Sequence, residues 1–175
     1  MKQKILITVL LLSSLTLFTL SCQKESALKE QQPPEEIATA IGKANNPTFN
    51  LEVILRGEGG LGHIKFRQDV DPSKIIVLDT WVRDLEPNHH YLLQRAVDAA
   101  NVVDGNCTST SWLTLGKGLT PQSILTDDNG TGSEELWRDV STAASGTAFD
   151  IHFRVLDATS MAVVLTSDCY QYVVR

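Results

Sequence analysis

The 175-residue chain is 42% apolar and 21% charged, enough apolar side chain for one packed core and too little charge for a chain without structure. Its formal net charge of −6 opposes binding to a phosphate backbone, which is held by clusters of Lys and Arg that displace counterions. Length and charge together point to one domain with appendages, and away from nucleic acid as a partner.

Residues 1–21 have the three-part layout of a secretory signal peptide: a basic start with Lys2 and Lys4, an apolar run from Ile5 to Leu20, and the small Ser21 at the cut. The run is short for a membrane span, which takes about 20 apolar residues. Thr19-Leu20-Ser21-Cys22 resembles a relaxed lipobox, which implies cleavage before Cys22 and diacylglycerol on its sulfur. Each buried methylene contributes about 0.8 kcal/mol, so two or three acyl chains such as palmitate hold a protein on a membrane where one does not. The expectation is a lipoprotein of the bacterial cell envelope, anchored to the outer membrane and either periplasmic or surface-exposed. Without Lys2 and Lys4, 13 of the 15 basic residues remain against 21 acidic ones, a net charge of −8.

With Cys22 acylated, Cys107 and Cys169 remain as an even pair in an oxidising compartment. A disulfide between them is expected, against the alternative of two buried thiols. Such a bridge closes a loop of about 60 residues and stabilises the fold by about 4 kcal/mol in the chain-entropy account.

Residues 22–46 read as a polar linker, with Gln31-Gln32-Pro33-Pro34-Glu35-Glu36 at its centre. A flexible segment of about 25 residues has an end-to-end distance of roughly 28 Å, enough to hold a domain clear of lipid headgroups. Residues 37–44 suit a short helix, though one too short to stand alone.

From 47 to 175 the pattern is all-β. Apolar residues alternate, turn residues recur, and no stretch sustains a helical stripe. Strands are predicted near 48–56, 63–69, 74–84, 91–97, 110–115, 121–126, 133–139, 148–156, 161–167 and 169–174. The clearest places Phe149, Ile151, Phe153 and Val155 on one face and Asp150, His152 and Arg154 on the other. Gly57 to Gly62 reads as a flexible turn, and Asn129-Gly130 as a hairpin turn. Leu85-Glu86-Pro87-Asn88-His89-His90-Tyr91 has the Leu-x-Pro-x-x-x-Tyr pattern of a tyrosine corner, in which the Tyr91 hydroxyl bonds to backbone a few residues upstream. That device, with Pro87 in the turn and Tyr91 as its pin, favours a Greek-key β-sandwich, as in immunoglobulin-like domains, over a meander barrel.

Over roughly residues 50 to 175 the chain resembles the copper/zinc superoxide dismutases. Gly105-Asn106-Cys107-Thr108-Ser109 is similar to that family's cysteine loop, and Cys169 stands where its partner cysteine lies, just before the final strand. Ile124 to Gly130 resembles the strand and turn after the metal loop, and Phe149-Asp150-Ile151-His152-Phe153 the late strand bearing a copper-binding histidine. The resemblance implies an eight-stranded Greek-key sandwich with a disulfide from loop to last strand. Most of the metal ligands are absent: Leu93 and Arg95 stand where two imidazoles are needed, and Asn106 to Leu125 contains no histidine. A redox copper takes three or four nitrogen ligands in a fixed frame, so dismutase activity is not expected.

Other candidates for chemistry are thin. Asp150 and His152 share a strand face and, with His63, are the residues to watch for a reduced copper or zinc site. Trp81, Trp112 and Trp137 sit in strand-like runs and read as packed or partly buried rather than as a sugar platform. Glu134 and Glu135 point to opposite faces and are no acid/base pair. The expected function is a lipid-anchored, non-catalytic binding or accessory module without a cofactor, whose partners are the membrane and an envelope protein or small ligand. The alternative is a metalloprotein with its site near His152.

Overall fold

The structure is a computed structural model that describes residues 48–175. The segments expected to be a signal peptide, a lipidated Cys22, a linker and a short helix at 37–44 lie outside the described residues. Within them the chain forms twelve strands and no helix.

The first four strands are long because their alternation is clean. Strands β1 (Phe49–Gly57) and β2 (Gly60–Gln68) form a hairpin in register from Phe49 opposite Gln68 to Gly57 opposite Gly60. Strand β3 (Ile75–Arg83) pairs with β2, sending Ile76, Leu78 and Val82 inward and Trp81 and Arg83 outward. The chain then crosses to a second layer as β4 (His90–Val97).

The tyrosine corner makes that crossing. The Tyr91 hydroxyl, on a side chain 2% exposed, accepts the Glu86 N–H at 3.0 Å, and burial pushes its pKa up. Thr126 completes the corner: its hydroxyl donates to the Glu86 carbonyl at 2.6 Å and accepts the His89 N–H at 3.0 Å. Leu85 N–H in turn donates to Gly130 C=O. The corner and the Asn129-Gly130 turn are thereby one hydrogen-bonded unit.

Between positions 110 and 126 the expected pair of strands is broken into β5 (Leu113–Thr114), β6 (Gly116–Lys117), β7 (Thr120–Pro121) and β8 (Ser123–Leu125). Gly118, with φ of 68°, turns the chain between β6 and β7, and Pro121 removes a ladder donor. Strands β9 (Gly132–Asp139), β10 (Ala148–Asp157), β11 (Val163–Ser167) and β12 (Tyr170–Val173) follow.

One layer is β1-β2-β3-β9. In the other, β8 and β4 pair, β4 pairs with β10, and β10 carries β11 on one half and β12 on the other. Strand β11 returns to β1 at Leu55 and Arg56, and Thr126 bridges to Gly132 beside β9, so the sheet is nearly closed. This non-sequential order makes it a Greek-key β-sandwich.

The core joins Val53, Leu55, Ile64, Phe66 and Leu78 of one layer to Leu93, Ile124, Phe153, Val155 and Leu165 of the other, all at most 2% exposed. At about 25 cal/mol per Å² of apolar surface removed from water, this interface is the main source of stability. Cys107 and Cys169 are bonded, with Cα atoms 5.4 Å apart and a sequence separation of 62.

Candidate functional site

Alternation on β10 is as expected: Ile151, Phe153 and Val155 face the core, while Asp150, His152 and Arg154 face away. The long segment from Asp98 to Trp112 is folded over that outer face and held there by two carboxylates. Asp150 Oδ2 accepts the backbone N–H groups of Asp104 at 2.8 Å and Gly105 at 3.0 Å, and the residue is fully buried beneath them. Asp98 accepts Thr108 N–H at 2.9 Å and Ser109 N–H at 2.7 Å. The disulfide fastens the same segment to the stretch between β11 and β12.

His152 sits under this strap. Its Nε2–H donates to the Ser109 carbonyl at 3.1 Å, and its ring stacks on Trp112 with centroids 4.6 Å apart. Arg154 lies over the same indole at 4.0 Å and donates through Nε to Gln94 at 2.8 Å. Trp112 therefore covers two outward side chains of β10, half-buried as its strand-like surroundings implied.

These residues do not fit a copper or zinc ion. His152 pairs across the ladder with Ala96, and the next outward position on β4 is Gln94. Leu93 and Arg95, the positions that the resemblance assigns to imidazoles, point to the opposite side: Leu93 is fully buried in the core and Arg95 faces a cavity between the sheets. His63 is on β2, in the other layer, where its Nε2 meets the Glu52 carboxylate. Thus Asp150 and His152 share a face but serve loop attachment, and His63 is not brought to them.

One cluster of potential metal ligands occurs among the described residues, Glu86, His89 and Asp157, whose ligand atoms all lie within 4.8 Å of one another. His89 Nε2 meets Asp157 at 2.7 Å, tying the tyrosine corner to the end of β10. Sequence alone could not find this grouping, because Asp157 is far along the chain.

Loop attachment by carboxylates has a pH signature. The Asp98 carboxyl is held below its ordinary 3.8 first by the Thr108 N–H. Asp127 is held down first by the Thr131 N–H, Asp139 by the Ser141 side chain and Asp157 by the Ser160 N–H. A carboxyl depressed in the folded state stabilises above its unfolded pKa, and that stability is lost as pH falls through the folded value. Thermal midpoints are expected to be level with respect to these groups above about pH 5 and to fall below about pH 3.8, with protease cuts in 98–112 appearing first. A midpoint that rises on acidification below that value would count against the attachment role.

The second feature is a cavity of about 220 Å³ between the layers, near one end of the sandwich. Phe66, Ile76, Leu78, Ile151 and Phe153 form its apolar wall. Two cations line it from the two layers, Arg95 from β4 and Arg138 from β9. Arg138 Nη1 donates to the Gly118 carbonyl at 3.1 Å. Gly118 is in turn placed by its N–H bond to Trp137 C=O, and a Cβ there would come within 2.7 Å of the Trp137 ring. Burial first, and Arg138 second, push the Arg95 guanidinium pKa down.

Asp139 also lines the cavity, but its carboxylate accepts Ser141 N–H at 2.7 Å. Among the described residues neither arginine has a carboxylate within 4.0 Å. The sequence held a signal for this site, since the run Tyr91, Leu93, Arg95, Val97 places a guanidinium on an inward face. Trp81 and Trp137, 38% and 36% exposed, lie on the outer face of the other layer, away from this cavity.

No family model matches the chain, and no curated protein matches its sequence.

Proposed function

We propose that this chain is a lipid-anchored lipoprotein of the bacterial outer membrane whose β-sandwich is a non-catalytic module that binds a small ligand. The binding part of this reading is carried by one observation: an apolar cavity between the sheets with two guanidinium groups on its wall. Ligand sites are concave and mostly apolar, with a few polar groups that fix orientation. The anchoring part is supported by the signal-like residues 1–21 and by Cys22 directly after Ser21. A disulfide between Cys107 and Cys169 suits an oxidising compartment outside the cytoplasm.

The resemblance to copper/zinc superoxide dismutases enters this reading as one of scaffold, supported by a disulfide from the long loop to the segment before the last strand. The metalloprotein alternative is not favoured, because the side chains around His152 supply no set of nitrogen donors.

Mass spectrometry of the membrane-extracted protein tests the anchor. The expected N-terminal peptide begins at Cys22 and carries two or three acyl chains, and Cys22→Ser moves the protein to the soluble fraction. An unmodified Cys22, or a serine variant that stays in the membrane, would overturn the anchoring reading.

A further inference from the structure

We propose that the cavity between the sheets binds a small anionic amphiphile, a single-chain carboxylate whose apolar part enters among Phe66, Ile76, Leu78, Ile151 and Phe153 and whose head meets Arg95 and Arg138. This deepens the ligand-binding reading above and rests on it.

Arg95 is on an inward face between the buried Leu93 and the partly buried Val97, where alternation calls for an apolar residue. Its guanidinium lines the cavity and makes no side-chain hydrogen bond to any described residue. An inward cation costs desolvation energy unless something of opposite charge repays it. Arg138, from the facing layer, adds a second positive charge to the same cavity. It is pre-oriented through Gly118, so its fork is fixed before a ligand arrives. The nearest acid on the wall, Asp139, is engaged by Ser141. Guanidinium groups are the side chains best suited to take a carboxylate bidentately, and this cavity is lined by two of them.

The size of the cavity narrows the class. At about 220 Å³ it is below the roughly 300–1,000 Å³ of sites for drug-sized molecules. A two-chain phospholipid is too large, whereas a medium-length alkyl or aryl carboxylate matches both the volume and the apolar wall. Lys74, whose ammonium holds the Ala143 carbonyl at 2.8 Å, fixes the segment after β9 that borders the cavity.

The test is calorimetric titration of the unacylated, exported Cys22→Ser protein with octanoate and, separately, with 1-octanol. Octanoate is expected to bind one-to-one and about tenfold or more tighter than octanol, since a hydrogen-bonded charge pair supplies that preference. In Arg95→Met the preference is expected to vanish while octanol affinity is kept. Should that variant fail to fold, Arg138→Met, whose side chain is partly exposed, is expected to show the same loss in part. Equal affinity for octanoate and octanol in the parent protein would overturn the anion assignment and leave the ligand-binding reading in place. Binding of neither probe would overturn both. Octanoate binding undiminished in both arginine variants would also overturn the assignment.

Discussion

Cys169→Ser is expected to lower the stability of the disulfide-bonded protein by about 4 kcal/mol, the largest loss from any single side chain outside the core. The bridge closes a loop of 62 residues, and opening it returns that chain entropy to the unfolded state. The folded state loses less, because Asp98 and Asp150 still hold the loop by their bonds to Thr108, Ser109, Asp104 and Gly105. The variant should therefore stay native at room temperature, with a midpoint lower by roughly 10 °C or more. Urea unfolding of the two proteins measures this. A difference under about 1 kcal/mol would mean that the bridge restrains little beyond what the carboxylates already hold.

Phe66→Ala is the second large effect, expected at about 4 kcal/mol within the 3–5 kcal/mol seen for buried aromatic truncations. Phe66 is 1% exposed, and its ring centroid lies 4.9 Å from Tyr172, 5.8 Å from Phe49 and 6.4 Å from Phe153. It thus joins β2 of one layer to β10 and β12 of the other. Because it also lines the cavity, truncation enlarges a space that already exists. Phe66→Leu keeps most of the volume and is expected to cost less than about 2 kcal/mol. Equal losses for the two variants in denaturant titrations would argue against a packing role for the ring.

Much of the fold was legible because its strands obey one rule, alternation with period two. The ten expected stretches all have strands within them, and the β10 faces were assigned correctly from Phe149 to Val155. The tyrosine corner was legible for a local reason, since Leu85, Pro87 and Tyr91 lie within one short segment. Errors arose where side chains of distant segments decide the conformation. Gly60 and Gly62 were read as part of a flexible turn, yet they are strand residues of β2. A Cβ on Gly60 would come within 2.6 Å of the end of the Leu85 side chain, and one on Gly62 within 3.0 Å of Leu55, so both glycines sit in packed surroundings.

The sites were less legible than the strands. The outward pair Asp150 and His152 was found by spacing alone, but spacing says nothing of the loop that covers them. Asp150 is buried by Asp104 and Gly105, and His152 by Ser109 and Trp112. His63 was grouped with them by residue type, and strand pairing puts it in the other layer. The cavity needs β9 of one layer to face β4 and β10 of the other, a relation that depends on pairings far apart in sequence.

On the proposal made above, the space beside Arg95 is a built receptor for a charged, oily molecule and not a packing defect. Two-dimensional NMR of the labelled Cys22→Ser protein during octanoate addition tests it most directly. The prediction is saturable shifts at Ile76, Val97, Arg138 and Ile151, with Trp81 and His63 on the far face unmoved. Shifts absent from the cavity wall, or spread evenly over the surface, would contradict it.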